Sequence, residues 1–187
     1  MAVYIALLRG INVGGKNKIK MAELKKLFES LGFKQVQTYI QSGNVVFESD
    51  ADEQTLRDKL DMEIETAFGL KSSVVLRTAA ELESLIKNCP FSADDIKKAE
   101  SSEYETLYTP LLSTAPLPVS TNALDKYATP EDRYKIIGRD IYLLTEHSIR
   151  DSKLASRLQK QYATATVRNL KTIKALFDLA SKIEIYI

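Results

Sequence analysis

Apolar residues fill both alternating positions of Val3–Leu8, the pattern of a strand buried on both faces of its sheet. A glycine-rich stretch follows. Met21, Leu24, Leu27, Phe28 and Leu31 then recur at helical spacing, with Gly32 as the stop. Phe33–Ile40 reads as a strand, with Phe33, Val36 and Ile40 set among polar residues. Gln41-Ser42-Gly43-Asn44 is a turn, and Val45–Glu48 returns as the second arm of a hairpin. Asp50 and Glu53 have capping-box spacing ahead of a helix that carries Leu56, Leu60, Ile64 and Phe68 on one stripe and closes at Gly69. Val74–Arg77 is the next strand, and Thr78 with Glu81 caps a short helix bearing Leu82, Leu85 and Ile86.

Ser92–Glu100 reads as a short linker helix, and Glu103–Thr109 alternates as a strand. Pro110, Pro116 and Pro118 predict an irregular or extended segment, followed by a short helix around Asn122–Tyr127. Tyr134–Ile137 and Ile141–Leu144 form a hairpin around Gly138-Arg139, where glycine at the first turn position suits a type II′ turn. Leu154, Leu158 and Tyr162 mark one helix; Leu170, Ile173, Leu176, Phe177 and Ala180 mark another, with a short strand at Ala163–Val167 between them. For residues 182–187 two readings stay open. Ile183, Ile185 and Ile187 alternate as in a strand, and the same residues could extend the last helix.

The first half therefore runs strand, helix, strand, strand, helix, strand, the split βαβ order of a ferredoxin-like domain, and the second half resembles it. The chain is expected to be α+β, with two tandem ferredoxin-like domains of antiparallel sheet plus helices. The first spans residues 1–90 and holds the glycine loop; the second spans 91–187 and begins with the linker helix. Asn88-Cys89-Pro90 marks the boundary.

Composition narrows the setting. At 187 residues, with 44% hydrophobic and 27% charged positions, this is the balance of a soluble globular chain. No apolar run approaches the ~18 residues that span a bilayer, which points away from a membrane partner. One cysteine and one histidine leave little for a Cys/His metal site, so no metal and no cofactor are expected, and a reducing cytoplasm is the natural compartment. The net charge of +1 hides an uneven spread. Residues 1–40 carry an excess of +5 and residues 133–187 one of +6, against −10 between them. Basic ends of this kind attract phosphate groups.

Arg9-Gly10-Ile11-Asn12-Val13-Gly14-Gly15-Lys16-Asn17 holds the most specific chemistry. Gly10, Gly15 and Lys16 meet the spacing of a phosphate-binding P-loop, but Asn17 stands where a hydroxyl would hold magnesium. In a split βαβ the first two strands run parallel, so this loop and the Tyr39–Asn44 turn emerge at one end of the sheet. The candidate ligand surface is therefore Arg9, Gly10, Asn12, Gly14, Gly15, Lys16, Tyr39, Ser42, Gly43 and Asn44. Arg168 and Asn169 join it at a helix start, where anions are favoured, with Asn169 as the candidate N-cap and Arg168 adding positive charge. The ordinary alternative is that the asparagines hold turns and Gly43 only supplies a positive φ. An RNA-recognition motif lacks support, because Ser42–Phe47 has no aromatic at the first stacking position. His147 and Cys89 have no evident catalytic partner, so whether the chain is an enzyme stays open and no catalytic residue is assigned.

Two segments, YIALLRGINVGGKNKIKMAELKKLFESLGFKQVQTYIQSGNVVF and TATVRNLKTIKALFDLA, resemble the bacterial family called domain of unknown function 1697. The resemblance covers residues 4–47 densely and 164–180 well, carried by R-G-I-N-V-G-G followed by T-Y-I-x-S-G-N. It implies two small ferredoxin-like domains and no particular activity. Leu170 stands where the family often has Trp, which leaves an aromatic stacking role there without support. Three functions remain in view: binding of a phosphate-bearing ligand (a nucleotide or a nucleic acid backbone), an assembly module closed by the same surface, and an enzyme of unassigned class.

Overall fold

The computed structural model describes residues 1–117 and 122–184. Its contacts divide the chain into two compact units: Met1–Ser84 together with the C-terminal segment from Ile173, and Leu85–Thr172.

In the first unit, β1 (Ala2–Leu8), α1 (Met21–Ser30), β2 (Lys34–Tyr39), β3 (Asn44–Ser49), α2 (Glu53–Phe68) and β4 (Val74–Thr78) follow the expected order. The strands form an antiparallel sheet in the order β2-β3-β1-β4. β1 lies between its partners in unbroken register, Ile5 opposite both Val46 and Arg77. Ala6 and Leu8 of β1 join Val45, Phe47, Val74 and Leu76 in one core with Leu24 and Phe28 of α1 and Leu56, Leu60 and Ile64 of α2. Val3, Ile5 and Leu7, pointing the other way, are equally buried, as the doubly apolar pattern requires.

Local stops and starts follow backbone chemistry. α1 ends in a Schellman motif: Gly32, at φ 86°, donates to the Glu29 carbonyl while Phe33 donates to Phe28. Gly69 ends α2 in the left-handed region and donates to the Glu65 carbonyl. Thr78 and Glu81 form the anticipated reciprocal cap of α3 (Ala79–Lys87), each backbone N–H donating to the other's side chain. At α2 the cap differs from the sequence reading. Asp52, not Asp50, is the N-cap, and its carboxylate accepts from the Thr55 N–H at 3.0 Å; three acidic candidates within four residues made the choice ambiguous.

The second unit repeats the plan. After α4 (Ala93–Ser101) come β5 (Leu107–Leu111), a 3₁₀ helix at Asn122–Tyr127, β6 (Arg133–Ile137), β7 (Asp140–Leu144), α5 (Lys153–Gln161) and β8 (Thr166–Asn169). The sheet order β6-β7-β5-β8 reproduces the first, with β5 in the place of β1. The molecule thus contains two similar α+β substructures, each a four-stranded antiparallel sheet with helices, as in tandem ferredoxin-like domains. Gly138, at φ 59°, turns the β6–β7 hairpin as expected.

Two sequence expectations shift, and one open reading narrows. β5 lies further on than Glu103–Thr109 and takes in Pro110, which the sequence had placed in an irregular segment. Pairing with β8 is continuous through Pro110, whereas pairing with β7 lapses at Thr109 and Pro110 and resumes at Leu111 in the same register. A residue without an N–H survives in a central strand because one of its two ladders tolerates the gap. The strand expected at Ala163–Val167 begins instead at Thr166. Finally, α6 (Leu170–Glu184) continues through Ile183, which is buried and extends the stripe of Ile173, Leu176 and Ala180 by a helical step. The strand alternative at Ile185 and Ile187, like the placement of Pro118, falls outside the described residues. Among the described residues no helix is long and apolar enough to cross a membrane.

Candidate functional site

The stretch from Arg9 to Ile19 is a small, tightly bonded hairpin. Gly14 and Gly15, at φ 58° and 75°, form the centre of a turn in which Lys16 donates to the Val13 carbonyl at 3.0 Å. Two successive positive φ values closed by that bond define a type I′ geometry, which only glycine and asparagine adopt readily. One step out, the Asn12 N–H donates to the Asn17 carbonyl at 3.0 Å, and Asn17 Nδ2 donates to the Gly10 carbonyl at 3.0 Å. Asn12 and Asn17 themselves stand at φ 55° and 50°.

Asn12 fastens this hairpin to the other motif. Its Nδ2 donates to the Ile19 carbonyl at 2.9 Å and to the Gln41 carbonyl at 2.7 Å, while its Oδ1 accepts from the Ile19 N–H at 2.9 Å. Below it the Leu8 N–H donates to the Gly43 carbonyl at 2.8 Å. Gly43 sits at φ 76° and is packed directly over Ile11. Asn44 is fully buried and donates to the Tyr39 carbonyl at 3.0 Å and to Ser42 Oγ at 2.9 Å, closing the β2–β3 hairpin from inside. On the far side the Arg9 N–H donates to the Ser73 carbonyl, and Ser72 Oγ donates to the Arg9 carbonyl. The two motifs therefore meet at one end of the first sheet, as parallel β1 and β2 require. Asn12, Asn44 and Gly43 serve chiefly to build that surface.

What the scaffold presents outward is different. Gly14, Gly15, Lys16 and Asn17 are exposed, as are the side chains of Arg9, Lys18 and Lys20. Among the described residues the N–H groups of Gly14 and Gly15 meet no internal acceptor, and Arg9, Lys16 and Lys18 form no ion pair. Lys20 lies 3.8 Å from Glu23. Between the turn and the hairpin runs an open groove of about 560 Å³, lined by Asn12, Gly15, Lys18, Ile19, Lys20, Glu23 and Gln41.

This is not the P-loop that the spacing suggests. There the loop flows straight into a helix whose N-terminus faces the phosphate. Here Lys16 closes a hairpin, and α1 begins only at Met21, after Lys20.

Arg168 and Asn169 belong to the second unit. Arg168 is 8% exposed; its Nη1 donates to the Val167 carbonyl at 2.8 Å, and burial pulls its guanidinium down to about 10. Asn169 caps α6 as anticipated, its Oδ1 accepting from the Thr172 N–H at 2.8 Å. His147 is an exposed side chain 3.6 Å from Glu146. Among the described residues no group of three or more His, Cys, Asp or Glu is placed to hold a metal. Tyr142 and Tyr134 serve structure: Tyr142 donates its hydroxyl to the Leu85 carbonyl at 2.8 Å and Tyr134 to Asp125 at 2.5 Å.

Sequence reasoning passed over Asn17, Ile11 and Ser72. Asn17 had a usable signal, since an asparagine closing a glycine turn is a candidate for the left-handed region. Ile11 and Ser72 had none, because their roles arise from long-range packing.

Comparison with known proteins agrees with this architecture. A family model described as "Protein of unknown function (DUF1697)" matches residues 1–142, and the chain belongs to that family. The solved structure of the conserved bacterial protein SP0830 from Streptococcus pneumoniae is similar, with a TM-score of 0.69 at 24% identity over 96% of this chain and 98% of that one. At that identity the likeness shows a shared fold. No curated protein matches the chain.

Proposed function

We propose that this member of the DUF1697 family binds a phosphate-bearing ligand, a nucleotide or a nucleic acid backbone, at the surface formed by Arg9–Lys18 and Tyr39–Asn44. The observation that carries the reading is the Gly14–Gly15 turn. Two exposed glycines, whose N–H groups meet no internal acceptor among the described residues, sit beside Arg9, Lys16 and Lys18 on a loop locked from beneath by Asn12. Backbone donors beside uncompensated cations are the elements of an anion nest. Arg168 and Asn169 are retained as a further candidate pair for the same ligand class, with the helix start at Leu170 in support. A cytoplasmic setting accords with a single cysteine.

The test is calorimetry with pyrophosphate, nucleotides and oligonucleotides at low salt. Arg9→Ala combined with Lys16→Ala should abolish a salt-sensitive interaction and leave the circular dichroism spectrum unchanged. If wild-type protein binds none of these at low salt, the proposal fails.

One observation favours an assembly role instead. Val13 is 65% exposed and Ile40 50% exposed, and the Asn12–Gln41 bond joins the residues next to them. An assembly surface would make self-association, measured by sedimentation, sensitive to Val13→Asp and Ile40→Asp.

A further inference from the structure

Resting on the phosphate-binding reading above, we infer that the groove beside the glycine turn takes a phosphate monoester of a small hydroxylated molecule, either a nucleotide or a sugar phosphate. Gly15 and Lys18 stand at its phosphate end, Glu23 receives hydroxyl groups, and Gln41 meets a polar edge of the ligand.

The groove is built from three segments: the glycine hairpin, the first turn of α1 and the β2–β3 turn. Asn12 fixes their spacing, because one Nδ2 donates to both the Ile19 and Gln41 carbonyls. Ile19 is 3% exposed and gives the floor an apolar character. The volume of about 560 Å³ lies within the range of small-molecule sites.

Glu23 decides the class of ligand. Among the described residues it is the one acidic group lining a groove that otherwise carries Lys18 and Lys20, and its ion pair with Lys20 is long and exposed. Against inorganic phosphate or a polyanionic backbone, a carboxylate there only repels. Against a ligand that bears hydroxyls it becomes an acceptor, the use to which dinucleotide-binding folds put an acidic residue on ribose. The Gln41 side-chain amide meets no internal partner among the described residues, so it has both a donor and an acceptor to offer.

The experiment compares inorganic phosphate, ribose 5-phosphate, adenosine monophosphate and a short oligothymidylate by calorimetry on the full chain. The two monoesters should bind about tenfold or more tighter than inorganic phosphate, the worth of a hydrogen bond to a charged group. Glu23→Ala should erase that increment while phosphate itself binds as well or better. Gln41→Ala should weaken adenosine monophosphate alone if the ligand is a nucleotide, and both esters if it is a sugar phosphate. Tightening of all four ligands alike by Glu23→Ala, or stronger binding of oligothymidylate than of either monoester, would overturn the inference. If phosphate binds through Arg9 and Lys16 with no hydroxyl increment, this inference falls and the phosphate-binding reading stands. If no phosphate compound binds, both fall.

Discussion

A Cβ placed on Gly43 would stand 2.5 Å from Cδ1 of Ile11, closer than carbon atoms approach without displacement. Gly43 also holds φ at 76°, so space and backbone both exclude a side chain. Gly43→Ala should lose about 2–4 kcal/mol in urea denaturation, combining overpacking with a strained backbone. Gly14→Ala, at φ 58° with nothing within 4 Å, carries the backbone term alone and should lose about 1–2 kcal/mol.

Asn12 makes three side-chain hydrogen bonds that join the two motifs. Asn12→Ala should lower stability by about 2–4 kcal/mol, since the bonds vanish and alanine inherits φ 55°. Asn12→Asp should not rescue it. The carboxylate still accepts from the Ile19 N–H but faces two carbonyl oxygens that need a donor. Equilibrium unfolding of both variants checks the ranking.

The hydrogen bond from Arg133 Nη2 to Asp95 Oδ1, at 2.6 Å, holds the Asp95 carboxyl at about 2, assisted by hydrogen bonds from Ser92. A carboxylate depressed in the folded state contributes stability that is present above its unfolded value, near 4, and lost as pH falls toward 2. Arg133→Gln should move the Asp95 titration, followed by carbon-detected NMR, up toward the ordinary carboxylate range.

Arg168 is buried with its charge retained at neutral pH. Arg168→Ala should lower the melting temperature by several degrees through the polar groups it leaves unpaired, a loss of about 2–4 kcal/mol. Differential scanning calorimetry on that variant, beside the phosphate titration, separates a structural contribution from a binding one.

The sequence was most readable where backbone chemistry is local. Gly32, Gly69 and Gly138 announce positive φ, and Thr78 with Glu81 spells out a reciprocal cap. The doubly apolar β1 foretold a strand covered on both faces. Reading failed where distant partners decide. Pro110 looks like a strand breaker until β8 pairs with it, and Ile183 alternates like a strand until burial on the helix stripe of Ile173, Leu176 and Ala180 settles it. At the candidate site the residue types were visible, but their division of labour was not. Asn44 is buried inside the β2–β3 hairpin, and Asn12, which lines the groove with Lys18 and Gln41, commits its side chain to three internal hydrogen bonds.

The first compact unit takes in residues from both termini, Met1–Ser84 and the segment from Ile173 onward. On the ribosome its sheet would emerge long before that final segment is synthesised, with the intervening residues forming a unit of their own. The glycine-loop unit is therefore the earlier to appear and the later to finish. A stop codon at Ile173 would strike the first unit far downstream of Ser84, leaving residues 1–84 intact in sequence and incomplete in structure. Pulse proteolysis of that truncated chain should digest Met1–Ser84 sooner than Leu85–Thr172.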